Sequence, residues 1–145
     1  MRVERLIESP TISALELAAR FGEQRHQVLA ENVANVDTPD FATRQLDPRA
    51  FGASLREALD RAERHGRDGL ELRGNRQFES IPGGAVRVRP DVAQPDNVLF
   101  HDGTNGRLES LLTDVQQNAM SYQMTIELLK GKFNGLLNAI RGRTA

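Results

Sequence analysis

From Leu108 to Ile140 apolar residues recur at alternating steps of four and three: Leu108, Leu112, Val115, Ala119, Tyr122, Ile126, Leu129, Phe133, Leu136 and Ile140. That alternation is the period of a helix packed lengthwise on another helix. At about 1.5 Å per residue the segment is about 50 Å long, whereas a compact chain of this size has a radius of gyration of only about 15 Å. A helix of that length overhangs its own domain. Such a chain reads as a packing element of an assembly rather than a pocketed enzyme.

A second seam lies toward the other end. Ser9 or Thr11 offers a hydroxyl N-cap, Pro10 is tolerated in the first turn, and Glu16 suits the helix dipole. Ile12, Leu15, Ala19, Gly22, His26, Leu29 and Val33 then keep the same spacing, and the small residues Ala18, Ala19 and Gly22 let another helix come close. The helix is expected to stop at Asn35-Val36-Asp37-Thr38-Pro39, where Pro39 pushes Thr38 out of the helical region. The expected fold is mainly α: two long terminal helices in an antiparallel, coiled-coil-like hairpin. Residues 1–40 and 101–145 form its helical unit, and 41–100 a loop-rich insert.

Within the insert, Phe41 to Pro48 reads as an extended linker, and Phe51, Leu55, Leu59 and Ala62 predict a short amphipathic helix ending near His65-Gly66. Leu70 to Arg73 and Val86 to Arg89 alternate apolar with charged residues, so both are expected as short strands, with Gly83-Gly84 available to turn a hairpin. Pro82, Pro90 and Pro95 interrupt the region. Asp102 to Gly106 is expected as the turn that launches the terminal helix.

Several function classes are excluded by composition. The longest apolar runs are far too short and too charged to span a bilayer. Met1 to Arg5 is followed by acidic and polar residues, so no secretory signal is read there. With no cysteine, disulfides and thiolate metal sites are ruled out, and a net charge of −1 gives nucleic acid no basic surface to bind. His26, His65 and His101 are scattered and form no paired metal motif, and Asp102 to Gly106 lacks the acidic ligands of a calcium loop. No phosphate loop, nucleophile elbow or carboxylate pair is present, so neither catalysis nor a cofactor is expected. The charges of Arg61, Glu63 and Arg64 read as a solvated helix face.

Leu29-Ala30-Glu31-Asn32-Val33-Ala34-Asn35-Val36-Asp37-Thr38-Pro39 resembles the signature of bacterial flagellar rod, hook and hook-filament junction proteins, in which a helix with two asparagines runs into a Thr-Pro-Gly-Tyr-like turn. The chain departs from that pattern at Asp40 and Phe41. At the other end, Asp102-Gly103-Thr104-Asn105, Leu108-Glu109, Asn118 to Gln123, Leu128 to Phe133 and Leu136 to Ile140 resemble the proximal rod proteins of the same family. The resemblance implies a structural subunit of the flagellar basal body, exported through the flagellar type III apparatus without a signal peptide. It also implies polymerisation in the periplasm through paired terminal helices. Implied partners are other rod subunits, further copies of this chain, and the MS-ring or export-gate adaptor at the rod base.

On that basis the expected subunit-interface residues are Leu15, Leu29, Asn32, Val33 and Asn35 in the first helix. In the last they are Leu112, Val115, Asn118, Tyr122, Ile126, Leu129, Phe133, Leu136 and Ile140. Asn32 and Asn35 could instead cap backbone at the turn. Asn118 would fix helix register if buried and would be an ordinary solvated residue if exposed. A cytosolic helical adaptor or chaperone that holds its partner with the same seams is the alternative function.

Overall fold

In a computed structural model that describes residues 9–66, 70–81, 85–93 and 104–142, three helices carry the fold. Helix α1 (Pro10–Ala34) opens on Ser9, whose hydroxyl accepts from the Ile12 amide at 3.4 Å, with Pro10 in the first turn where no amide is needed. It closes on Asn35, whose backbone and side-chain amides both donate to the Glu31 carbonyl, at 3.1 and 2.8 Å. The Thr38 hydroxyl donates to Asn35 Oδ1 at 3.3 Å, and its amide to the Asn35 carbonyl at 3.0 Å. The turn ends on Asp40 at φ 60°, so the left-handed conformation that glycine supplies in the flagellar signature is taken here by aspartate, one of the few side chains that tolerates it.

Helix α2 (Pro48–His65) is capped by Asp47, whose Oδ1 accepts from the Arg49 amide at 2.8 Å, and is stopped by Gly66 at φ 59°. Between α1 and α2 the chain is more than a linker. Leu46 is buried, and β1 (Arg44–Gln45) pairs antiparallel with β4 (Asp91–Val92). A hairpin joins β2 (Phe78–Ile81) to β3 (Ala85–Val88), with Phe78 opposite Val88 and Ile81 opposite Ala85.

The first strand of that hairpin is therefore not Leu70 to Arg73, as the alternation predicts. Those residues make no ladder, and Leu72 is buried instead. The decisive element is a turn at Asn75, whose Oδ1 accepts from the amides of Gln77 and Phe78 at 2.8 and 3.1 Å. Gly74 stands so close to this turn that a Cβ there would lie 2.8 Å from the Phe78 carbonyl oxygen. Gly83 and Gly84 lie outside the described residues.

Helix α3 (Thr104–Ile140) runs 37 residues, about 55 Å. Thr104, Asn105 and Gly106 already belong to it, so only Asp102 and Gly103 of the expected turn precede it, and they lie outside the described residues. It lies antiparallel to α1: Gly22 meets Asn118 and Tyr122, while Arg25, further along α1, meets Asn118 and the earlier Asp114. The mainly α architecture with paired terminal helices and a small antiparallel β insert is thus the one expected.

The apolar core sits elsewhere than the seams foretell. Leu17, Phe21 and Val28 of α1 pack with Leu46, Phe51, Ala58, Leu72 and Phe78 of the insert. Phe21 stacks on Phe51 with ring centroids 4.0 Å apart, and Phe78 meets Phe51 edge-on at 5.4 Å. This packing uses the α1 stripe Ala14, Leu17, Phe21, Arg25, Val28 and Asn32, which has the same three-and-four spacing as the expected seam but a different phase. His26, placed on the seam by periodicity, is exposed.

Candidate assembly interface

One buried polar node holds the two long helices together. Arg25 Nε donates to the Leu46 carbonyl at 3.2 Å, Nη1 to Asn118 Oδ1 at 3.4 Å and Nη2 to Asp114 Oδ1 at 3.1 Å. Asn118 in turn donates through Nδ2 to the Gly22 carbonyl at 2.9 Å. A guanidinium that is almost entirely buried requires all of this, because an unpaired buried charge is costly. Among the described residues no buried side-chain nitrogen or oxygen is left without a partner. Beside the node a cleft of about 260 Å³ opens between α1, α3 and the start of α2, lined by Ala18, Phe51, Ser121, Tyr122 and Thr125 among others.

A second polar clamp ties the insert to α1. Asn32 is buried; its Nδ2 donates to the Arg44 carbonyl at 2.6 Å and its Oδ1 accepts from the Arg44 amide at 2.9 Å. The side chain thus imitates one rung of a β-ladder and fixes β1 against the helix. Gln77 acts similarly inside the insert, accepting from the Asp47 amide and donating to Asp91.

The expected interface residues divide among three environments. Leu29, Asn32 and Asn118 are buried within the chain. Leu15, Val33, Asn35, Val115, Ile126, Leu129 and Leu136 are half-buried. Leu112, Phe133 and Ile140 are exposed, and Tyr122 lays one ring edge on Gly22 while 38% of its surface remains in solvent. Both asparagines of the flagellar signature make their hydrogen bonds inside the chain: Asn35 caps the helix and Asn32 holds β1.

The overhang of α3 follows from the register. Gly22 lies level with the turn between Asn118 and Tyr122, so Pro10, twelve residues earlier, lies level with about residue 132. Beyond that level, past the described start of α1, α3 continues to Ile140 with Phe133, Leu137 and Ile140 exposed. Periodicity does not single out Leu111, the one fully buried apolar residue of α3 among those described, or Arg25 and Asp114. A basic residue inside an apolar stripe was the legible signal for Arg25. The exposed trio Met120, Met124 and Leu128 also lies off the seam.

Among the described residues no three His, Cys, Asp or Glu side chains gather as metal ligands; His26 and His65 are exposed, and His101 lies outside the described residues. No described helix is long and apolar enough to cross a membrane.

Along nearly its whole length the chain is similar to curated flagellar basal body rod proteins FlgB from diverse bacteria. It is 28% identical to that of Escherichia coli strain K12 over 90% of this chain and 97% of the relative. With that of Bacillus subtilis strain 168 it is 27% identical over 92% and 95%, and with that of Salmonella typhimurium 27% over 90% and 98%. The similarity read at the two ends of the sequence thus extends through the insert. No family model matches the chain. No solved structure matches it either.

Proposed function

We propose that this chain is a structural subunit of the proximal part of the flagellar basal-body rod, built into the rod through its terminal helices. The observation that carries the reading is the reach of α3 past the described start of α1: an apolar packing face that the described residues leave partly exposed, in a protein similar along nearly its whole length to FlgB proteins. Uncovered apolar surface of this kind marks an interaction site. Residues 1–40 and 101–145 act as the rod-forming unit and 41–100 as the insert that braces it.

In this reading α1 and α3 of neighbouring copies pack lengthwise. The half-buried and exposed seam residues Leu15, Val33, Leu112, Val115, Tyr122, Ile126, Leu129, Phe133, Leu136 and Ile140 complete their burial there. Leu29, Asn32, Asn35 and Asn118 shape the interface from beneath. Long interlocked helices resist twist, so torque passes along the shaft through packing and without chemistry. Other rod subunits and the MS-ring or export-gate adaptor at the rod base are the partners. The subunit reaches the periplasm by the flagellar type III route.

Quantitative mass spectrometry of purified hook-basal bodies tests the reading. A fixed stoichiometry of several copies per particle is expected. Absence from the particle, with the chain abundant in the cytosol of the same cells, would overturn it in favour of an adaptor or chaperone.

A further inference from the structure

The seam is not the only apolar surface on α3. Met120 and Met124, two residues either side of Tyr122, stand about 160° round the helix from it, and Leu128 continues their line one turn on. They are 72%, 68% and 54% exposed. Gly131 and Gly135 extend the same line, and a Cβ at either would meet nothing within 4 Å. Each glycine costs the helix about 1 kcal/mol relative to alanine. Among the described residues no contact offsets that cost.

Charge narrows the choice of occupant. In a chain that is 27% charged, no charged residue occurs between Val115 and Ile126. At the end of the stripe Glu127 and Lys130 neutralise one another at 2.9 Å. Across Met120 and Met124 a charged partner would find nothing to pair with, the exposed cation nearby outside that ion pair being Lys132 at the far end of the stripe, whereas depletion of charge and enrichment of methionine characterise the core of a protein interface. The chain itself carries a surface of matching character. Phe133 to Ile140 also contains no charge, and its Phe133, Leu137 and Ile140 are exposed on the seam side of α3.

We infer that the face formed by Met120, Met124 and Leu128 receives the distal end of α3, Phe133 to Ile140, from a second copy of this chain. This rests on the rod reading and specifies one of its contacts. The two patches lie on opposite sides of α3, and Met124 is about 20 Å along the axis from Leu137. Each copy that docks therefore presents a fresh receiving face, and the contact is heterologous and does not close. Three side chains provide far less than the roughly 800 Å² per partner of a stable complex. The single contact is weak, and the free chain stays monomeric until other contacts of the lattice add to it.

The chain has no cysteine, so introduced ones report the contact without background. Met124→Cys and Leu137→Cys are co-expressed in cells lacking the native chain, and hook-basal bodies are purified and oxidised. Both positions are exposed, and circular dichroism of each purified variant verifies folding. A disulfide-linked dimer at least fivefold more abundant than in particles carrying either variant alone is expected. A yield no higher than with Asp60→Cys on the outer face of α2, or equal dimerisation by Met124→Cys alone, would overturn the contact. If the unmodified chain is itself missing from basal bodies, the rod reading fails and takes the contact with it; its presence without the mixed dimer rejects the contact only.

Discussion

Asn118 Nδ2 donates to the Gly22 carbonyl oxygen at 2.9 Å, 96 residues away along the chain, and so ties α3 to α1. The same asparagine accepts from Arg25, so one buried amide reads both a backbone oxygen and a guanidinium. Apolar seams with a repeating period tolerate a slide by a full repeat, because leucine meets leucine in either register. A single polar match does not, and this one sets which residues of α3 remain beyond α1.

Replacing Asn118 by Ala leaves Arg25 Nη1 without its acceptor in a buried site and is expected to destabilise the chain by about 2 to 3 kcal/mol. Asp114→Asn should cost less, about 1 kcal/mol, since that carboxylate is partly in solvent. Urea denaturation of the three proteins checks the order. A larger loss in Asp114→Asn would mean that the ion pair rather than the asparagine dominates the node.

Gly22 is held tightest against Tyr122. A Cβ there would lie 3.1 Å from Tyr122 Cδ2, so Gly22→Leu forces the helices apart and should destabilise by at least about 2 kcal/mol. In a Tyr122→Ala background the added side chain has room, and the penalty should fall by more than half. A double-mutant cycle on thermal unfolding measures the coupling.

Asn32 supplies both halves of its pair with Arg44. Asn32→Asp keeps an acceptor for the Arg44 amide but turns a carboxylate oxygen toward the Arg44 carbonyl, and is expected to destabilise as much as Asn32→Ala, about 2 to 3 kcal/mol. Hydrogen exchange of the β1 and β4 amides should rise in both variants while that of α2 changes little.

Asp40 carries the positive φ that the flagellar signature assigns to glycine. Asp40→Gly should be neutral or stabilising within about 1 kcal/mol, and Asp40→Val destabilising by about 1 to 2 kcal/mol, because a β-branched side chain is poorly tolerated there. Melting temperatures of the two variants on either side of the parent would agree; a stable valine variant would not.

Phe133 separates assembly from folding. It lies near the distal end of α3 and is 36% exposed, so Phe133→Asp should lower the unfolding free energy of the free chain by no more than about 1 kcal/mol. Motility of cells relying on this variant should be lost, with the subunit still secreted. Leu129→Asp is expected to abolish motility too, although its half-buried site makes some loss of stability part of the effect.

Much of this architecture was legible in the amino-acid order, for identifiable reasons. Helix ends are local events: Ser9 before Pro10, Asn35 before Thr38-Pro39, and Gly66 after His65 each act on backbone within a turn of themselves. The length of α3 and its antiparallel pairing with α1 follow from periodicity and the room the insert allows. That no disulfide can form was readable by inventory alone, since the chain has no cysteine. The turn at Asn75 was missed because an alternating tetrapeptide at Leu70 to Arg73 gives the same signal whether it pairs or only buries one leucine.

By itself the sequence determined that two long helices exist, where the first of them starts and stops, and that they carry apolar faces at helix-packing period. Only the tertiary structure decided how each face is used, because three-and-four spacing specifies a helix but not its rotation. In α1 it turned Phe21 and Val28 toward the insert and Gly22 toward α3. In α3 it matched Asn118 to Gly22 and Arg25, contacts nearly a hundred residues apart that no local pattern encodes. That one match sets the overhang, and with it the apolar surface left for a neighbour.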